Sequence, residues 1–141
     1  IRLPPGRVRF IGPLPTCSVL LFRRAIFPMA ALVMEPVALR PNREVERIVE
    51  IPLSAFGRKD QLGCFQLLVS PGGGADPVPS PLYPCLIHRE PDGTEEVLWG
   101  ASFIIAVQFL RIAMDYRLPD WRSGRVVQRT LTAAYRTGRT S

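Results

Sequence analysis

Between Gly100 and Pro119 the chain holds one long apolar run broken by few polar residues, and this run constrains the fold most. At 100° per residue, Ile104, Gln108, Arg111 and Asp115 fall on one narrow stripe of a helix, the only polar one. Ala106 and Ala113 fall opposite. Phe103, Val107, Leu110 and Met114 flank them on one shoulder, and Ile105, Phe109, Ile112 and Tyr116 on the other. The spacing predicts a helix capped by Ser102 and running to about Arg117, with an Arg111–Asp115 pair on its wet side. Small residues at the centre of the arc predict that the alanine side lies close on a sheet. The arc is wider than the roughly 100° stripe of an ordinary surface helix. A second cover is therefore expected: the C-terminal segment, the N-terminal apolar stretch or a second copy of the chain.

The residues before this helix read as strands. Glu46–Leu53 alternates Val49, Ile51 and Leu53 against Glu46, Ile48 and Glu50, with Pro52 near the end. Gly63–Ser70 sets Phe65, Leu67 and Val69 against Cys64, Gln66 and Ser70. Pro71–Pro81, rich in Gly and Pro, reads as a surface loop. Leu82–Arg89 and Glu95–Trp99 flank Glu90-Pro91-Asp92-Gly93, a type I turn signature, and predict an antiparallel hairpin. The fold class expected is α+β: a small antiparallel sheet of about four strands on one main C-terminal helix, with irregular basic N- and C-terminal flanks.

Charge marks the same division. Residues 1–41 carry a net +5, residues 42–121 a net −4 and residues 122–141 a net +5, within a total of +6 over 141 residues. The expected organisation is a basic arm or upstream extension over 1–41, an α+β domain over 42–121 and a basic tail over 122–141. In that tail Val127, Leu131 and Ala134-Tyr135 suggest a short helix. The first 28 residues show no sustained periodicity and read as an extension or a poorly ordered arm. Arg23-Arg24 before the ten apolar residues Ala25–Met34 matches the length of a signal-peptide core, but Glu35-Pro36 follows where a cleavage site belongs. The run is too short to span a bilayer, which takes about 20 residues. Seventeen Arg to one Lys, with 15 Pro, reflects GC-rich coding more simply than phosphate binding.

Chemistry is sparse. Cys17, Cys64 and Cys85 form no C-x-x-C, leave one unpaired and suit a reducing, cytoplasmic setting. His88, the one histidine, has no oriented partner in the sequence, and at i,i+3 on a strand Cys85 and His88 point to opposite faces. Gly72-Gly73-Gly74 lacks the Lys-Ser/Thr and the helix of a phosphate loop. No catalytic residue, cofactor or metal site is expected, and the chain reads as a non-enzyme.

The Leu62-Gly63-Cys64-Phe65 strand start, and Trp99-Gly100-Ala101-Ser102 leading into a helix containing Ala106, together resemble a group of small bacterial α+β domains without assigned function. Their helix opens with a Gly-x-Asp-Ser-x-Gln-Ala-Leu type of motif; here Ser102 and Ile105 stand at its acidic and Gln positions. The resemblance spans about residues 45–118 and implies an α+β fold and a bacterial source. At fold level alone, small immunity proteins that neutralise toxins are analogous.

Two functions compete. One is an interaction module, immunity-like, binding a protein partner or a second copy through the apolar helix surface or the acidic corner Asp92, Glu95 and Glu96. The other is nucleic-acid binding through the basic flanks, with Arg122, Arg125, Arg129, Arg136 and Arg139 contacting phosphates. Membrane-surface attachment through Arg23-Arg24 and Ala25–Met34 is a third reading.

Overall fold

The structure, a computed structural model, describes residues 5–19, 24–43, 45–70 and 76–131. It is α+β, with one main helix, a five-stranded sheet and two smaller two-stranded ladders.

The sheet is built around β5 (Leu62–Val69). Its first half pairs antiparallel with β7 (Tyr83–Arg89), and its last two residues pair with β6 (Val78–Pro79). The near-constant register makes β6 and β7 successive parts of one neighbouring strand, interrupted at 80–82. Ser80 fills the gap: its Oγ accepts from the Leu67 N–H at 3.0 Å, and its own N–H donates to the Leu67 carbonyl at 2.7 Å. β7 then pairs with β8 (Glu95–Trp99), which confirms the hairpin, and the Gly93 N–H donates to the Glu90 carbonyl across the turn at 2.9 Å. On the other side of β5 runs β9 (Val126–Leu131), parallel, from Cys64↔Val126 to Val69↔Leu131.

This last strand corrects the expected tail helix. Val127 and Leu131 are four apart, a spacing that fits a helical face and also one face of a strand. The β-branched Val126, Val127 and Thr130 favour the strand once an open edge is available. Ala134 and Tyr135 lie outside the described residues. The strand expected over Glu46–Leu53 is absent: residues 46–52 are irregular and Leu53–Gly57 is a 3-10 turn entered through Pro52. Pro52 lacks the donor a ladder needs, and Ile51 packs on the core without pairing.

The helix α1 (Gly100–Met114) follows β8 directly. Trp99, not Ser102, is the N-cap residue, without a side-chain cap bond. The helix stops three residues before Arg117 because Asp115 turns left-handed at φ 49° and donates its N–H to the Leu110 carbonyl. Asp115 thereby leaves the helical spiral, and no Arg111–Asp115 ion pair forms among the described residues. The buried stripe is Phe103, Val107 and Leu110, one shoulder of the expected arc. Ala106 is partly buried against that core, whereas Ala113 is exposed, so the centre of the contact is rotated toward the large residues.

Phe103, Val107 and Leu110 meet Leu62 and Leu86 on one face of the sheet, with Phe56 stacked on Phe103 at 5.9 Å between ring centroids. Each such side chain contributes roughly 1.5–3 kcal/mol on burial. The opposite face carries a second cluster, Phe65, Leu67 and Cys85, with Trp99 stacked on Phe65 at 4.0 Å and Val127 alongside. Because both faces are covered, Cys64 and Cys85 are buried although they point oppositely.

The described part of the N-terminal flank from Val8 to Val33 is built of strands, against the irregular arm expected, while residues 36–41 are irregular. β1 (Val8–Pro13) pairs with β4 (Met29–Val33), and β2 (Cys17–Val19) with β3 (Arg24–Ile26), both antiparallel. A Leu14 N–H to Pro28 carbonyl bond of 2.9 Å joins the two stretches into one bent ribbon. Its β2 end packs on α1 with Cys17 buried, so the N-terminal segment supplies part of the second cover that the helix requires. Sequence reading missed this arm because β4 is apolar at all five positions and so shows no alternation, while the bulge at Ile11 interrupts that of β1.

Candidate functional site

The acidic corner is built by the β7–β8 turn. Asp92 accepts from the Thr94 N–H at 2.8 Å, a bond that holds its carboxyl below the usual carboxylate range. Glu95 receives Arg125 at 2.8 Å and Arg89 at 3.0 Å, and those two hydrogen bonds lower its pKa in that order. Arg47 spans Glu96 at 2.9 Å and Glu90 at 3.3 Å. The three expected partner-binding residues are therefore engaged within the chain. Exposed pairs of this kind are screened by solvent and contribute little to stability. Their larger effect is to neutralise the surface.

Of the described tail arginines, Arg125 is the one that meets this corner. Arg122 lies over the Trp121 ring at 4.5 Å, and Arg129 is exposed on β9 opposite Leu67. Arg136 and Arg139 lie outside the described residues. The two groups assigned to separate functions thus converge at Glu95–Arg125. Trp121 and Arg122 also hold β9's approach: their carbonyls accept from the Cys64 thiol at 3.5 and 3.7 Å.

His88 lines a groove of about 560 Å³ with Val37, Leu39, Ile48, Glu50 and Glu90. Its Nδ1 is buried without a hydrogen-bond partner among the described residues. Cys85 packs on the opposite sheet face; burial foremost, then Cys64, pushes its thiol up to about 11. A thiol so protonated at neutral pH is a poor nucleophile. All three cysteines are free and buried. Among the described residues no three His, Cys, Asp or Glu side chains converge as a metal site, and no helix is long and apolar enough to cross a membrane. A larger groove, about 950 Å³, separates the C-terminal half of α1 from Pro15 of the ribbon. On its rim the Tyr116 hydroxyl donates to the Phe56 carbonyl at 2.7 Å, and burial raises its pKa.

The least satisfied surface is the β1–β4 ribbon. The register Val8↔Val33, Phe10↔Ala31 and Pro13↔Met29 places all six side chains on one face, with a bulge at Ile11. Every one is apolar. Phe10 is 70% exposed, Met29 54% and Val33 41%. Phe27, at the bend, is 75% exposed. Single apolar residues on a surface need no explanation, but a contiguous ribbon face does. The signal was legible in Val8-Arg9-Phe10 and Met29–Val33 only once their pairing was known.

Comparison with known proteins returns no matching family model, no matching curated protein and no matching solved structure.

Proposed function

We propose that this chain is a non-enzymatic interaction module that binds a protein partner through the apolar face and free edge of its N-terminal ribbon. The observation that carries the reading is the exposure of Phe10, Met29 and Val33 on one all-apolar face. A two-stranded ribbon alone is marginally stable in water, so such a face gains by being covered. The acidic corner is a weaker candidate, since Glu95 and Glu96 already hold Arg89, Arg125 and Arg47. Cys85 gives an enzymatic reading no support: it is protonated, buried and on the opposite sheet face from His88.

The test is selection of binding peptides from an unbiased display library on the immobilised full chain. Binders should lose affinity for a Phe10→Lys, Met29→Lys variant and keep it for Glu95→Gln, Glu96→Gln. The reverse pattern, with folding of both variants confirmed by thermal melts, moves the docking surface to the acidic corner and sinks the proposal.

A further inference from the structure

Resting on that reading, we infer that the partner is an extended segment with apolar residues at alternate positions and acidic flanks, added as a strand along the outer edge of β4. The edge is chosen by chemistry. β1 carries Gly12, Pro13 and the bulge at Ile11, features that blunt an edge. β4 reads Met-Ala-Ala-Leu-Val, with no proline, glycine or charge. The Met34 N–H donates inward to the Arg7 carbonyl at 2.9 Å, and the Pro28 carbonyl accepts inward from Leu14. By the alternation of an antiparallel ladder, Leu32 and Ala30 also face β1, which turns the N–H and C=O groups of Met29, Ala31 and Val33 outward. No strand of the described residues pairs there. Those same three residues present their side chains on the apolar face beside Phe10, so one incoming strand gains main-chain bonds and apolar contacts together.

Charge decides between a second copy and a different partner. Residues 1–41 hold six arginines and one acid, Glu35, which pairs with Arg7 at 3.4 Å. Arg9 and Arg24 are exposed and make no ion pair among the described residues. Pairing two ribbons would bring two arms of net +5 together, from chains of net +6. Acidic flanks on the incoming strand relieve that repulsion and read the arginines instead.

Three synthetic nonapeptides share one alternating Val/Thr core: one flanked by Glu, one by Lys, and one Glu-flanked but N-methylated at alternate residues. Each is titrated into the isotope-labelled full chain. The Glu-flanked peptide should shift the amides of 29–33 and bind roughly three- to tenfold more tightly than the Lys-flanked one, the size of one or two exposed ion pairs. The margin should shrink at high salt, and N-methylation should abolish binding. Equal binding by the Glu and Lys peptides overturns the charge assignment while the ribbon reading stands. A failure of every peptide to move residues 29–33 overturns both. Sedimentation showing a dimer that Ala31→Lys dissociates, with the fold intact by melting, makes a second copy the occupant and overturns the inference.

Discussion

Two glycines let the last strand reach the first of the sheet. A Cβ on Gly124 would lie 2.2 Å from the Leu62 carbonyl oxygen and 2.8 Å from Gly63 Cα; one on Gly63 would lie 2.5 Å from the Arg125 carbonyl oxygen. The neighbours are backbone and cannot swing away. Gly124→Ala should therefore destabilise by about 2–3 kcal/mol, the upper range for overpacking, while Gly57→Ala, with nothing within 4 Å, should change the denaturation midpoint little. Urea unfolding of the two variants checks both. Cys85 offers a second residue-scale expectation. Its raised folded-state pKa favours the neutral thiol, so its contribution to stability is full below the ordinary thiol pKa and is lost as pH rises toward about 11. A thiol reagent at pH 8 should label Cys85 only after denaturant is added, as mass spectrometry of peptide digests would show.

At the level of elements, what was legible was local. The β7–β8 hairpin is written in Glu90–Gly93 and its flanking alternation, β5 in Phe65, Leu67 and Val69, and α1 in its apolar periodicity. What was not legible depends on partners distant in sequence. Residues 126–131 become a strand because β5 has a vacant side, and Glu46–Leu53 fails to become one although its alternation is clean. The helix was read correctly in kind but rotated, since Phe103, Val107 and Leu110 fit between Leu62, Leu86 and Phe56 better than the alanine stripe does. The ribbon face, the candidate docking site, was illegible because β4 is apolar at every position and the bulge at Ile11 breaks the alternation of β1.

Two expectations follow for elements. Truncation after Trp121 removes β9 and the Val127 contact with the second core cluster, so the shortened chain should lose its cooperative thermal transition. Glu95→Gln tests the tie between β9's approach and the hairpin. The folded-state pKa of Glu95 is depressed, so its contribution is complete above the ordinary Glu range and fades as pH falls through the lowered value. The variant should be less stable than the parent at pH 7, lose less stability on acidification, and converge with it at low pH.

Across the whole molecule the structure has two tiers. The five-stranded sheet and α1 share two buried clusters, whereas the β1–β4 half of the ribbon has an exposed apolar face and no third strand among the described residues. Amides of β5 and β7 should accordingly exchange with solvent by global opening, and those of β1 and β4 by local opening at least about a hundredfold faster. Uniform protection, read by hydrogen exchange, would contradict this division.

The parallel pairing of β9 with β5 also bears on synthesis. The middle strand of the sheet is translated some sixty residues before its last neighbour. Until that neighbour emerges, a nascent chain presents Phe65 and Leu67 beside a bare row of peptide groups, open to the wrong strand. A stalled ribosome or a protease cut just before Val126 would thus release a sticky fragment rather than a smaller working protein.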